Sequence, residues 1–434
     1  MRKTLAIILL FSLVLTGAWF LSDSLYLSPY DQQKFGISFT QLSGVLAIGL
    51  MAFATLLSVR PVWLEPWLGG LDKMYRMHKW LGIIAMVVSV VHWLTAQSPN
   101  GRHVPAAADA ATANQSLLDS LEGPAHGVAQ PALWILLALV AIALVKKIPY
   151  HIFALTHRLV PLVFMVLVFH SVVLMKQTYW TTAIGITMAL VLAAGVVGGL
   201  ISLFRLVGAK RKVDATVTGK TYFADVRSLL VDMLMEPGWP GHKSGQFAFV
   251  SSRRRWGAHP FTIASAWDAN SRKISFIVKE LGDATEELEK KLPIGTKLVV
   301  EGPYGHFNFE DAKPRQIWIS GGIGITPFVA RMQHLMGSDA AKEIDLFHSD
   351  AVHAEQAHAR MREDAARSGV NLHLFITPEH GRLTGEKIRA AVPGWKDASV
   401  WFCGPSRFAA ALKLDLMRNG LKSEDFHHEL FEMR

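Results

Sequence analysis

The chain has a single cysteine, Cys403, among its 434 residues, so it can form neither an intrachain disulfide nor a multi-cysteine zinc or iron–sulfur centre. Charge is the second scarcity. Charged residues are sparse up to about Arg205 and become as dense as in a soluble protein only from Lys210 onward. Internal repeats, low-complexity tracts and RNA- or DNA-binding motifs are also lacking, so the net charge of +9 does not mark a nucleic-acid partner.

In their place stand long apolar runs. Hydrophobic residues make up 51% of the chain and the mean hydropathy is +0.27. At this length two or three domains are expected, and the charge step divides the chain into a membrane half and a soluble half. Six runs, near 4–22, 38–58, 78–97, 131–147, 152–175 and 180–205, approach the roughly 20 residues that a bilayer needs. The start, Met1-Arg2-Lys3 and an apolar stretch to Phe20, resembles a signal peptide. Gly17-Ala18-Trp19-Phe20 is a poor cleavage site, however, so this run is expected to stay as the first helix.

Basic residues gather at particular span ends: Arg2 and Lys3; Arg60, Lys73, Arg76 and Lys79; Lys146 and Lys147; Arg205, Lys210, Arg211 and Lys212. The alternate loops carry Asp23, Asp31, Asp109, Asp119 and Glu122. This is the positive-inside pattern, and it places both termini in the cytoplasm. The third and fifth spans then run the same way, and the Ala-rich stretch 98–130 faces outward, where it could dock a partner.

Those two parallel spans carry the most informative residues. His78 and His92 lie fourteen residues apart in one, His157 and His170 thirteen apart in the other. Ionisable side chains are costly inside a bilayer and usually face the bundle and bind something. Two pairs at two levels suit two haem irons, one above the other; fourteen residues of helix rise about 21 Å. Histidine on both faces fills the iron and favours electron transfer. His92 falls roughly 40° from His78, but His170 falls roughly 140° from His157 in an ideal helix. Pro161 cannot bond the carbonyl of residue 157, so a kink with local 3₁₀ overwinding is expected there. His151 is the rival ligand, read here as interfacial. His103 and His126 lie in polar surroundings and read as solvated. Phe164 lies midway between the levels, as core packing or between the haems.

After Lys212, six short β-rich runs (Val213–Thr218, Val226–Met233, Gln246–Val250, Phe261–Ser265, Ile274–Val278 and Lys297–Val300) predict a small antiparallel barrel, with a helix at 284–291. From Gln316 strands alternate with helices, the pattern of a doubly wound parallel sheet. Ser320-Gly321-Gly322-Ile323-Gly324-Ile325-Thr326-Pro327-Phe328 follows its first strand and opens a helix. Glycines there admit a pyrophosphate to the backbone, and the helix N-terminus offers free N–H groups.

That turn occurs in order with His259-Pro260-Phe261-Thr262-Ile263-Ala264-Ser265, Glu301-Gly302-Pro303-Tyr304-Gly305 and Phe402-Cys403-Gly404-Pro405. Together they resemble the ferredoxin-reductase-type flavin/nicotinamide module. With the histidine-bearing spans before them, nearly the whole chain resembles the ferric reductase and NADPH oxidase superfamily.

The resemblance implies that His259, Pro260, Phe261 and Thr262 hold FAD, with Thr262 near the reactive part of the ring. It implies that Val278, Lys279, Gly282 and Thr285 meet the FAD phosphates, and that Gly321, Gly322, Gly324 and Thr326 hold the nicotinamide nucleotide's phosphates. Cys403 and Gly404 would lie beside the nicotinamide ring, although Cys403 also reads as buried packing. Phe431 would stack on the flavin; in the animal oxidases that aromatic ends the chain, whereas here Glu432, Met433 and Arg434 follow it. Without a calcium-binding helix–loop–helix, the resemblance implies a stand-alone, constitutively active bacterial form.

The expected layout is a six-helix transmembrane haem-binding bundle over 1–207, an antiparallel FAD-binding barrel over 208–312, and an α/β NAD(P)-binding domain with a parallel sheet over 313–434. The expected activity, in the cell's inner (plasma) membrane, carries electrons from cytoplasmic NADPH or NADH through FAD and two b-type haems (His78/His157 and His92/His170) to an outside acceptor. Dioxygen, giving superoxide, is the first choice; ferric iron or a ferric chelate, or a periplasmic protein, are the alternatives. A haem-free structural or transport protein with a fused reductase is the reading from another class. His348-Ser349-Asp350 offers no decisive clamp for a 2′-phosphate; Arg360 and Arg362 are candidates for one, or an exposed helix face.

Overall fold

The computed structural model describes residues 2–23, 31–101, 117–145, 147–252, 257–280, 287–336 and 342–429, apart from the side chains of 2, 117–119, 150 and 151. It forms two compact units, one running to Val207 and the other from Gly208.

In the first unit, the described residues form six helical stretches long and apolar enough to cross a membrane. They are the helices Arg2–Phe20, Gln32–Ser58, Leu71–Gln97, Leu117–Leu144 and Ala183–Leu203, with a fifth span made of Tyr150–His157 and Val160–Leu174. The protein is therefore a multi-pass membrane protein. Asp31 caps the second helix by accepting from the backbone N–H groups of Gln33 and Lys34.

The fourth helix corrects the sequence expectation. It begins at Leu117 rather than near residue 131 and takes Pro124 and Pro131 into its body. Its first turns, rich in Gly, Pro and polar residues, lack the apolar run by which spans are recognised, so the stretch 98–130, expected to be a loop, is partly helix. His126 lies exposed on it. Asp23, expected in an outer loop, is buried. It accepts hydrogen bonds from Ser38 Oγ (3.0 Å), Lys176 Nζ (2.8 Å) and the Tyr179 hydroxyl, which ties the ends of three spans together.

The second unit starts with six antiparallel strands: β1 Lys212–Phe223, β2 Ser228–Met235, β3 Phe247–Ser251, β4 His259–Thr262, β5 Lys273–Lys279 and β6 Lys297–Tyr304. Their order is β4-β3-β6-β1-β2-β5, and an Ile263–Phe276 bridge joins the two ends into a barrel. Strand alternation builds its core: in Lys273–Lys279, Ile274, Phe276 and Val278 point inward while their neighbours are more exposed.

His242 sits beneath Trp239 and Trp267, bonded through Nε2 to the Ser265 carbonyl at 2.9 Å. Burial lowers its pKa from 6.5 to about 4. An unfolded ring takes up a proton near pH 6.5 while the folded ring stays neutral until about pH 4, so stability falls as pH drops through that window. The loss is up to about 1.4 kcal/mol per pH unit. Tryptophan-monitored unfolding at pH 7 and pH 5 should show it, and His242→Gln should flatten the dependence.

Five parallel strands follow: β7 Arg315–Gly321, β8 Glu343–Asp350, β9 Asn371–Ile376, β10 Ala398–Cys403 and β11 Phe426–His428, in the order β11-β10-β7-β8-β9. The chain winds outward from β7 to β9, then returns to β10 on the other side of β7. The topological switch point, where α/β sheets bind ligands, is therefore the gap between β7 and β10.

Candidate functional site

The histidine pairs come first because they sit on the most regular elements. His78 and His92 lie on the helix Leu71–Gln97. His157 ends one half of the fifth span and His170 lies in the other. Between the halves Arg158 and Leu159 have ψ of −17° and −18°, and the bonds Leu159 N–H to Thr156 O and Leu162 N–H to Leu159 O each span three residues. This 3₁₀-type overwinding, next to Pro161, turns the second half so that both histidines face the third span.

The His78 and His157 rings are 5.9 Å apart between centroids, and those of His92 and His170 6.3 Å. Metal–imidazole bonds of about 2 Å, plus the ring radii, put the centroids of two opposed imidazoles roughly 6 Å apart. Ring anchoring agrees with this. His78 Nδ1 bonds the Ala54 carbonyl at 2.8 Å, His92 Nδ1 the Thr40 carbonyl at 3.0 Å, and His170 Nδ1 the Ala125 carbonyl at 2.9 Å. A carbonyl can only accept, so each Nδ1 carries the proton and Nε2 keeps its lone pair for a metal. His157 Nδ1 is buried without a partner among the described residues.

Space is provided too. Gly82 shares the His78 face four residues on, and a Cβ built there meets no atom within 4 Å among the described residues. Gly44 lets His92 lie close, since a Cβ there would stand 3.0 Å from the ring. The four histidines thus fit two bis-imidazole haem sites. Phe164 takes the core role: it packs toward Ala52 and Gly195, where a Cβ would come within 2.8 Å of its ring. The side chain of His151 lies outside the described ones.

In the second unit, β4 carries His259, Pro260, Phe261 and Thr262, paired with Val250, Phe249, Ala248 and Phe247 of β3. Pro260 is exposed and the other three are partly so, and burial lowers the His259 pKa. Val278 is buried in the barrel core, so only its backbone is free to meet a phosphate. Lys279 ends β5 with its Nζ 4.0 Å from where a Gly322 Cβ would be, which sets a cation beside the glycine turn. Gly282, Thr285 and Phe431 lie outside the described residues.

The glycine turn sits at the switch point. Ser320 of β7 pairs with Cys403 of β10, and the two strand ends interlock through glycines. A Cβ on Gly324 would lie 2.2 Å from the Cys403 carbonyl oxygen, and one on Gly404, whose φ is +158°, 3.1 Å from Gly321 N. Gly322 has φ of +53°. Thr326 bonds back to the Ile323 carbonyl at 2.8 Å and starts the helix Thr326–Leu335. The Cys403 side chain is 1% exposed, within a core that includes Phe307, Trp318 and Phe328, and burial pushes its thiol pKa up. Its nearness to the turn is through its backbone.

Gly322 and Ile323 of the turn, Lys279 of the barrel, and His348, Asp350, His358 and Arg360 line one cleft of about 840 Å³. Arg360 thus faces the cleft; Arg362 is exposed elsewhere on the same helix. The carbonyl anchors and the His348 group were not found from sequence. Backbone acceptors carry no residue signature, and His348 and His358 are separated by a turn.

Residues 43–168 match the ferric reductase like transmembrane component, and residues 229–308 an FAD-binding domain. An NADPH oxidoreductase of Mycobacterium tuberculosis is 26% identical over 46% of this chain and 52% of its own length. The glycine betaine monooxygenase reductase subunit of Chromohalobacter salexigens is 27% identical over 39% of this chain and 50% of its own. The chain thus spans about half the length of these relatives. Among solved structures, an Amycolatopsis cytochrome P450 reductase aligns with a TM-score of 0.45 at 21% identity, over 51% of this chain and 70% of that one. The chain therefore joins a stretch that matches a ferric reductase like transmembrane component to one that matches an FAD-binding domain in one polypeptide.

Proposed function

We propose that this protein is a plasma-membrane oxidoreductase with cytoplasmic termini that moves electrons from cytoplasmic NADPH or NADH, by way of FAD and two b-type haems, to an acceptor on the far side. One observation carries the reading: two facing imidazole pairs at two levels of the same pair of spans. When bound, FAD supplies the step from two-electron to one-electron chemistry and the haems supply one-electron transfer.

The chain's own residues do the positioning. Ala54, Thr40 and Ala125 carbonyls hold three imidazoles in the tautomer and direction that a metal needs. Gly321, Gly322 and Gly324 bring backbone N–H groups to the switch point, where the N-terminal end of Thr326–Leu335 and Lys279 favour an anion. In this reading β4 offers His259, Pro260, Phe261 and Thr262 to the flavin, the later segment offers Val278, Lys279, Gly282 and Thr285 to its phosphates, and Phe431 stacks on its ring. Gly404 keeps the β10 end bare for the nicotinamide.

Dioxygen, yielding superoxide, is the first acceptor. Ferric iron is the second reading, and the family match over residues 43–168 favours it. Purified protein should oxidise NAD(P)H with cytochrome c reduction that superoxide dismutase abolishes. Reduction of ferric chelate under argon, with no dismutase-sensitive signal in air, would assign the second reading instead. Turnover that needs an added periplasmic protein would overturn both.

A further inference from the structure

The cleft of the second unit holds a buried cluster that the electron-transfer reading leaves unused. His348 near the end of β8 is 2% exposed, Asp350 at its end 8%, and His358 on the helix Glu355–Ser368 1%. Burying two imidazoles and a carboxylate together is costly unless their polar atoms find partners. Asp350 Oδ2 lies 3.6 Å from His348 Nε2 and 3.5 Å from His358 Nε2, and one ligand atom from each residue falls within 4.8 Å of the others. These separations are long for hydrogen bonds, and His358 Nε2 has no hydrogen-bond partner among the described residues. Two ligand atoms bonded to a tetrahedral zinc ion at about 2.0–2.1 Å stand roughly 3.3–3.4 Å apart, close to the two Asp350–histidine separations, while the two imidazoles must close in from within 4.8 Å of each other.

The surroundings suit an ion as well. His348 Nδ1 contacts Ser320 Oγ at 2.8 Å; donating there leaves Nε2 free to ligate and fixes the ring from behind. His358 Nδ1 accepts the Ala354 N–H at 3.3 Å, a long contact that keeps the proton on Nε2 while no ion is present. Ligation through Nε2 needs the proton on Nδ1, which then faces the Ala354 N–H as donor against donor, so the ring must turn away from Ala354 as the metal bond forms.

From this geometry we infer that His348, Asp350 and His358 form a site for a divalent metal of zinc-like chemistry, distinct from the haem ligands. Two imidazoles and one carboxylate are the donors such an ion prefers over magnesium or calcium. Three protein ligands leave a fourth position for water or an anion. The site lies against the dinucleotide turn, because Ser320 pairs with His348 across β7 and β8 and Gly322 lines the same cleft. An ion there adds positive charge where the nucleotide's phosphates are proposed to rest.

The test is zinc binding by the purified full-length holoprotein, stripped with a chelator and titrated with zinc alone. We expect about one ion per chain and, in X-ray absorption, two imidazole ligands with bonds of about 2.0–2.1 Å. His358→Gln and Asp350→Asn should each weaken binding at least about tenfold, with haem absorbance and flavin fluorescence unchanged as evidence of folding. His353→Gln, which removes the exposed histidine beside Glu355 and Glu379, should leave binding intact. Failure to take up zinc, or uptake lost in His353→Gln and kept in His358→Gln, would overturn the inference. Because the readout is metal content, it stands or falls apart from the electron-transfer activity.

Discussion

His92→Leu should halve the haem content, from about two to about one per chain, and abolish electron delivery across the membrane. The reason is local. His92 and His170 face each other at 6.3 Å, and each is held from behind by a backbone carbonyl. Leucine fills similar space but offers no lone pair, so His170 alone would hold the iron weakly. The other pair, His78 and His157, is untouched. We therefore expect NAD(P)H oxidation with ferricyanide, which can draw electrons directly from the flavin, to persist. Reduction of dioxygen or ferric chelate should fall at least about a hundredfold, as expected when a metal ligand rather than its support is removed. Haem quantification and the two activity assays check this. Unchanged spectra in the variant would favour a haem-free membrane unit.

Gly324→Ala should damage the other end of the path. A Cβ at this position would stand 2.2 Å from the Cys403 carbonyl oxygen and 3.0 Å from Gly404 N. Both are backbone atoms at the end of β10 and just beyond it, and the β10 register against β7 is fixed from Ala398 to Cys403, so no side chain can swing aside. Overpacking of this kind costs about 1–3 kcal/mol. The turn would relieve the clash by moving away from the switch point. We expect nucleotide-dependent ferricyanide reduction to fall at least about tenfold through a higher KM, with haem content unchanged. Steady-state kinetics with a thermal melt of the variant measure both effects. An unchanged KM would contradict the role given to this turn.

Sequence made the plan of this molecule readable where a physical period is imposed from outside. A bilayer demands long apolar helices, a barrel demands alternation, and a dinucleotide turn demands glycine; each leaves a pattern. The fourth span was misjudged because Pro124, Pro131 and polar residues interrupt its hydrophobicity while its helix continues. The thirteen-residue spacing in the fifth span was legible as a mismatch, and Pro161 as the source of the overwinding that relieves it. The residues that hold the imidazoles were not legible, because Ala54, Thr40 and Ala125 act through carbonyls that every residue has. Cys403 shows the opposite limit: its place in the motif was clear, but only the packing around Phe307, Trp318 and Phe328 shows that its thiol is buried.

The measurement that bears most directly on the central claim is low-temperature electron paramagnetic resonance of the oxidised, purified protein, with haem quantification alongside. The facing imidazoles stand at 79° in the His78–His157 pair and 76° in the His92–His170 pair. Nearly perpendicular axial rings leave two iron d orbitals close in energy, which gives strongly anisotropic low-spin signals. Two such ferric haems per chain are the predicted result. A high-spin spectrum, a single haem, or none would contradict the account.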